Sequence, residues 1–357
     1  MARLLSIWRI WIKYSWYFLY SMYLRKPWSL APRMWLRLYF RGFLPNKLEG
    51  YDFDSFGWDL FLSDRQILLS SLVDGEQGKI MEDKFLSFQV LRGIAPTPRI
   101  WALVRNGTLE NLESPGISDF GALVREKGIV ILKPIVSNCG RGVLMIEYRG
   151  GIFLCNRRKI DESRLNALLP RQGELMLTEH VRQGAFTSAL YPDTVNTLRM
   201  LSMIDPESKE PFIAAAAMRI GTSQSFPVDN VAAGGLSCIV DLETGRIGRV
   251  SRVFRERPFR WISRHPDNGV QMEGLVVPRW KEICAEVSRM AAALSQVPYV
   301  AWDLALLDDG ISVIETNSWS ELSVFQLERP LAANPAIRRF FEYHRICNSG
   351  KRIPITR

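Results

Sequence analysis

The stretch WDLALLDDGISVIETN, residues 302–317, gathers two carboxylates and an amide that suit a hard cation: Asp303, Glu315 and Asn317. Apolar runs flank Asp308-Asp309-Gly310, a pattern that predicts a β-hairpin with glycine where positive φ is cheap. Pairing Leu307 with Ile311 sets Asp303 directly opposite Glu315, with Cβ atoms roughly 5 Å apart. Asn317, two residues on, shares the face of Glu315. Like charges so opposed destabilise a sheet, so a cation is expected to offset them. Mg²⁺ takes one or two carboxylates and keeps positions for water and phosphate. A surface hairpin with scattered acids would read the same way, and a one-residue slip would part the acids onto opposite faces.

A second stretch, IVILKPIVSNCGRGVLMIE (129–147), suits phosphate. Lys133 ends an apolar strand, and a loop with Ser137, Gly140 and Gly142 leads into the next strand. Glycines let backbone N–H groups approach a phosphate, and a strand-end lysine adds a point charge. No Gly-Lys-Ser/Thr follows and no helix opens, which excludes a Walker loop and a dinucleotide fingerprint. A plain turn between strands is the alternative. Lys84, in Glu82-Asp83-Lys84, precedes this strand on a helix expected over 81–93 and ended by Gly93.

Around these residues, helices are expected over 63–73, 118–128 (Ser118 as N-cap), 161–169 and 278–296. Strands are expected over 128–134 and 174–181, with hairpins at 143–156 and 237–250. Residues 197–205 and 211–220 read as paired strands, although the four-alanine run in the second also suits a helix. Interleaved helices and antiparallel hairpins predict an α+β fold.

Composition narrows the function. The chain has 357 residues and net charge +9. Residues 1–50 hold nine Lys/Arg against one acid, Glu49, a net +8, which leaves +1 for residues 51–357. The main body therefore lacks the basic footprint of a nucleic-acid binder. The five cysteines (139, 155, 238, 284, 347) show no CxxC spacing, and the three histidines (180, 265, 344) are scattered. That argues against disulfide frameworks and zinc sites, and for a reducing, cytoplasmic setting.

The basic arm is also aromatic: LLSIWRIWIKYSWYFLYSMYL, residues 4–24. At 100° per residue, Arg3, Ser6, Arg9 and Lys13 gather on one side, opposite Leu4, Trp8, Trp11, Ile12, Phe18, Leu19 and Met22. Its uncharged run from Tyr14 to Leu24 is short for a bilayer, and no signal-peptide cleavage site follows. The expectation is a helix lying on an anionic membrane surface. The alternatives are a helix packed on the body or on a partner such as a membrane-bound glycosyltransferase, and a spanning helix.

Lysine on a helix, lysine at a strand end, glycine loop, a strand ending at Glu179, then paired carboxylates with Asn: in this order the chain resembles the ATP-grasp superfamily over roughly residues 80–320. VNTLR (195–199), VDN (228–230) with Gly234-Gly235, VAWDLA (300–305) and IETN (314–317) are similar to its sugar-transfer-associated branch. The resemblance implies two α+β subdomains clamping Mg-ATP, at about 95–180 (glycine loop and hinge) and 181–330 (metal), within a catalytic region 51–330. The arm 1–50 precedes it, and a C-terminal helix and tail, 331–357, follow.

By the same resemblance, Lys84 and Lys133 would contact the phosphates, with Ser137, Gly140 and Gly142 looping over them. Glu179 and the backbone at His180–Val181 would hold the adenosine end. Asp303, Glu315 and Asn317 would bind Mg²⁺. Ala301 stands where amino-acid ligases often carry an arginine, so Arg199, with Arg219 second, is expected to stabilise the acyl phosphate. Asp229, Asn230, Gly234 and Gly235 would line the acceptor side, or form a plain turn. The implied activity joins a carboxylate substrate to an amine-bearing, sugar-linked acceptor in surface polysaccharide or glycoconjugate synthesis. An ATP-dependent phosphotransferase is the close variant. A non-catalytic, membrane-associated binding protein is a second class, and retention of every charged ATP-site position argues against it.

Overall fold

A computed structural model describes residues 2–25, 30–113, 119–137, 140–169, 173–252 and 260–347. Ser118, Cys139 and the tail 348–357 lie outside the described residues.

Two seven-stranded antiparallel sheets carry the site. The first comprises β1 (Ile100–Arg105), β2 (Thr108–Asn111), β3 (Ile129–Pro134), β4 (Leu144–Arg149), β5 (Ile152–Cys155), β6 (Arg158–Ile160) and β7 (Glu174–Glu179). Their order is β2-β1-β7-β3-β4-β5-β6. Val104, Val130, Leu132, Ile146 and Leu177 pack beneath the helix Phe120–Lys127. That helix is capped by Asp119, whose carboxylate accepts from Ala122 N at 2.6 Å, one residue later than the sequence suggested.

The second sheet comprises β8 (Thr197–Ile204), β9 (Pro211–Ile220), β10 (Leu236–Val240), β11 (Ile247–Ser251), β12 (Trp261–Ile262), β13 (Tyr299–Leu306) and β14 (Ile311–Asn317), ordered β12-β11-β10-β9-β8-β13-β14. Period-two alternation divides its side chains. Leu198, Met200, Met218 and Trp302 bury one face against the helix Trp280–Ala293. Leu201, Met203, Ala217 and Ala301 point the other way, towards the helix Pro335–Tyr343. The four alanines are strand, because β8 and β10 flank β9 and supply partners on both edges.

Two local expectations change. The helix expected over 81–93 breaks at Asp83, which adopts extended φ/ψ and caps a second helix, Lys84–Val90, by accepting from Leu86 N. Lys84 is therefore that helix's first residue. In the β13–β14 hairpin, Ala301↔Asn317, Trp302↔Thr316 and Asp303↔Glu315 pair as expected, but a bulge follows and the turn end pairs Leu306 with Ile311. The bulge absorbs the one-residue difference, so the carboxylates face each other although the expected pairing of Leu307 with Ile311 does not form.

The arm forms two helices, α1 (Ala2–Arg25) and α2 (Pro32–Arg41). Ile10, Tyr14 and Phe18 of α1 are buried against Leu38, Phe43 and Leu68. The Tyr14 hydroxyl reaches the carbonyls of Tyr39 (3.1 Å) and Phe43 (3.3 Å). The packed stripe is thus not the expected apolar face: of that face Phe18 is buried, while Leu4, Trp8, Trp11, Ile12 and Leu19 are exposed. No helix among the described residues is long and apolar enough to cross a membrane.

Candidate active site

A cavity of about 150 Å³ lies between the two sheets. Lys133 reaches it from β3 and Lys84 from the first turn of its helix. Glu179 and Val181 line it at the end of β7. Arg199, Arg219, Asp303, Glu315 and Asn317 enter from the second sheet, and Asp229 and Asn230 from the segment after β9. Four cations therefore converge on one small space.

The two arginines are held by one carboxylate. Arg199 Nε and Nη2 donate to Asp303 Oδ1 and Oδ2, both at 2.7 Å, and Arg219 Nη2 lies 2.9 Å from Oδ2. Asp303 is 1% exposed. Burial alone would push its carboxyl up, but the Arg199 and Arg219 guanidiniums override this and hold it below the usual carboxylate range. Thr197 ties in a further acid. Its N–H and hydroxyl donate to Asp229 Oδ2 at 2.8 and 2.5 Å, and its hydroxyl accepts from Arg219 at 2.8 and 3.0 Å. Burial pushes the Asp229 carboxyl up.

The lysines meet the other carboxylate. Lys84 Nζ lies 3.2 Å from Glu315 Oε1 and donates to Ser137 O at 2.8 Å. Lys133 is 5% exposed, with its ammonium 5.0 Å from the centre of the Phe88 ring. Burial pushes its pKa down to about 8; Glu315 opposes that shift and Lys84 adds to it. An incompletely neutralised buried ammonium is poised to accept an anion.

The opposed carboxylates are thus offset by protein cations, with Arg199 and Arg219 on Asp303 and Lys84 on Glu315. Asp303 in particular is engaged at both oxygens and anchors the two arginines. Glu315 and Asn317 fit Mg²⁺ better. Glu315 is partly exposed to the cavity, and Asn317 lines it two residues further along the same strand, offering its amide oxygen. One carboxylate, an amide oxygen and phosphate oxygens form an ordinary Mg²⁺ donor set.

Not every expected residue lines this cavity. Gly140 does, at φ +66°, and a Cβ there would sit 3.1 Å from both Val228 methyls, so the loop closes on the segment before Asp229. Ser137 contributes through its carbonyl on Lys84, while Gly142 packs its backbone against Pro134. His180 lies outside the lining, and burial lowers its pKa. Gly234 and Gly235 are also outside it. A Cβ on Gly235 would lie 2.3 Å from Asp229 O, so that glycine lets backbone pack against the acid's own segment, while Gly234, at φ +113°, faces the Gln224 side chain. Thr197 escaped the sequence reading, although period two places it on the face of Arg199 within the quoted VNTLR.

Residues 63–338 match the family described as sugar-transfer associated ATP-grasp. Comparison with curated proteins gave no match. Among solved structures, the chain is similar to the D-alanine-D-alanine ligase of Coxiella burnetii at 10% identity and TM-score 0.38, over 74% of this chain and 59% of that one. It is similar to the D-alanyl-alanine synthetase A of Vibrio cholerae at 12% and 0.41, over 74% and 65%. It also resembles a RimK domain ATP-grasp protein of Sphaerobacter thermophilus at 11% and 0.41, over 78% and 77%. The chain thus spans less than two thirds of either ligase. With more than half of its length matched by the family and the ordered lysine, arginine and carboxylate positions converging on one cavity, the chain belongs to the sugar-transfer associated ATP-grasp family.

Proposed function

We propose that the protein is an ATP-dependent carboxylate–amine ligase of surface polysaccharide or glycoconjugate synthesis. The observation that carries this reading is the convergence of Lys84, Lys133, Arg199 and Arg219 on one buried cavity. Phosphoryl transfer demands positioning and charge neutralisation more than covalent help from the protein. The two lysines bind the nucleotide phosphates. A substrate carboxylate oxygen attacks the γ-phosphorus, the bond to the ADP oxygen breaks, and an acyl phosphate forms. Arg199 and Arg219, fixed by Asp303, hold the charge that develops there. An amine then attacks the acyl carbon, and phosphate and a proton leave. Glu315 and Asn317 would hold Mg²⁺, which would neutralise charge at the phosphates.

The deciding assay is nucleotide turnover with a panel of sugar acids and amines, followed by mass analysis. ADP, phosphate and an amide are expected. ADP with a phosphorylated product would replace ligation by phosphotransfer, and absence of turnover across the panel would favour a binding role.

The arm directs the body to an anionic membrane surface in this reading. The face of α1 away from its packed stripe exposes Leu4, Trp8, Trp16, Leu19 and Tyr23, and α2 adds Leu36 and Phe40. Arg9 and Lys13 are exposed among them. Interfacial aromatics interleaved with basic residues suit an anionic bilayer surface. Flotation with phosphatidylserine-containing vesicles is expected for the wild type and lost in a Trp8→Ser, Trp16→Ser, Leu19→Ser variant. Equal flotation of that variant would remove the membrane assignment.

A further inference from the structure

The cavity is small for a nucleotide. Its volume is about 150 Å³, below the roughly 300–1,000 Å³ of small-molecule sites. A nucleoside triphosphate therefore enters only when the two sheets part. The contacts that join the sheets across the cavity govern how readily they do so.

The chain passes between the sheets on one side of the cavity. It reaches β1 through residues 94–99 and leaves β7 through residues 180–183. These connections run together, with Glu179 N donating to Arg99 O at 3.0 Å, and Val313 N of β14 donates to Pro96 O at 2.8 Å. Segment 226–230 of the second half meets the first sheet elsewhere. Val228 faces Gly140 of the glycine loop. Phe226 faces Arg157, whose guanidinium lies 4.5 Å from the ring centre. Arg157 Nη2 also donates to Asp193 Oδ1, a second residue of that half. Arg157 follows β5, which lies three strands from β7 in the sheet order, roughly 14 Å at ordinary strand spacing. The connections thus act as a hinge, and Arg157 grips at a distance from it.

The backbone shows that this side chain is kept at a cost. Cys155 pairs with Arg158, which leaves Asn156 and Arg157 as a two-residue hairpin turn with φ of +47° and +67°. A turn with positive φ at both central positions ordinarily has glycine second. Arginine there bears the left-handed penalty of a residue with a Cβ. Asn156 tolerates that region and ties the turn to β4: its N–H donates to Met145 O at 2.8 Å, and its Oδ1 accepts from Met145 N at 2.9 Å. Met145 lies two residues past Val143, which lines the cavity at the end of the glycine loop. The turn and the phosphate loop therefore move as one piece.

We infer that Arg157 is a positioning residue, a latch that holds the glycine loop over the nucleotide and sets the rates at which nucleotide enters and leaves. The inference rests on the ATP-binding part of the proposed function. Arg157 does not line the cavity. It acts through Asp193 and Phe226, and its ion pair is half exposed, with side-chain exposures of 51% and 37%. Such a contact adds little to global stability, so its weight falls on the opening of the sheets.

The test is stopped-flow binding of a fluorescent, non-hydrolysable ATP analogue with Mg²⁺ to the full chain. Arg157→Gly removes the latch and relieves the turn. Losing an exposed ion pair and a cation–π contact should speed opening about tenfold. Association and release should both accelerate by that factor, leaving Kd nearly unchanged, while the melting temperature holds or rises. Asp193→Asn should act in the same direction and add little to Arg157→Gly. Arg157→Lys, which keeps the charge, should recover part of the slow rates. The gap between wild type and Arg157→Gly should narrow at high salt, because the pair is screened. If the analogue does not bind wild type, the ATP-binding reading fails. If it binds with equal rates to wild type and Arg157→Gly, the latch alone fails. Faster release with unchanged association would make Arg157 a ligand contact, and faster rates with a lowered melting temperature would make it a structural brace; either result overturns the latch.

Discussion

Replacing Asp303 by asparagine separates its two conceivable roles. As one of two repelling acids awaiting a metal, its loss would stabilise the metal-free protein. As the arginine anchor, its loss strands two guanidiniums. The structure decides the sign: Asp303 is 1% exposed and takes Arg199 through two 2.7 Å bonds and Arg219 through a third at 2.9 Å. Removing one partner from such a buried network costs about 3–5 kcal/mol, because the remaining charges stay desolvated. A chain of 357 residues loses about 1.3 °C of melting temperature per kcal/mol, so a fall of about 4–7 °C is expected without Mg²⁺ or ATP. Differential scanning calorimetry at low and high salt is the assay. Salt should matter little, since the network is buried. An unchanged or raised melting temperature for Asp303→Asn would refute the anchor. Turnover should fall as well, because the arginines lose their placement.

Glu315→Gln should lower stability without metal by about 1.5–3 kcal/mol, since Lys84 loses a charge-assisted partner, and should abolish the Mg²⁺-dependent part of ATP stabilisation; thermal melts with and without Mg-ATP measure both. Lys133 has its pKa pushed down to about 8 from 10.5, so between those values the folded site is neutral while the unfolded lysine is charged. Through that window stability rises with pH, whereas ATP affinity should drop about tenfold from pH 7 to pH 9 as the free site loses its charge; calorimetry in buffers of different ionisation heat would detect the accompanying proton uptake, and Lys133→Met should flatten the profile. Gly140→Ala forces a side chain into positive φ against Val228 and should cost about 1–2 kcal/mol, read by denaturant titration, with Val228→Ala restoring part of it.

The hairpin acids and Asn317 were legible because strand periodicity fixes faces, and the bulge did not disturb the pairs that matter. The strand-end Lys133 and the glycine loop were legible for a similar reason: an apolar run ending in lysine can be read locally. The Arg199–Asp303 pairing was not, since 104 residues separate the partners and only the docking of β8 on β13 joins them. Asp303 therefore reads as an uncompensated acid, when its counterions sit on the adjacent β8 and on β9 beyond it. The break at Asp83 was hidden because its capping role competes with a continuous apolar pattern. For α1 the helix was legible but its buried stripe was not: aromatic residues populate several of its faces, so periodicity alone does not say which one the body covers.

The hydroxyl of Tyr14 bonding to the chain at Tyr39 and Phe43 has a mechanical consequence. Through Leu38, Phe43 and Tyr51, α1 shares one core with the segment that carries Asn46 and Lys47. The arm is thus a bracket and not a tether. Any surface that takes the outward side of α1 meets the catalytic body at one fixed angle. A substrate tied to that surface would be presented by geometry, and truncating Tyr14, which removes that fixing contact, would free the angle without touching a single catalytic side chain.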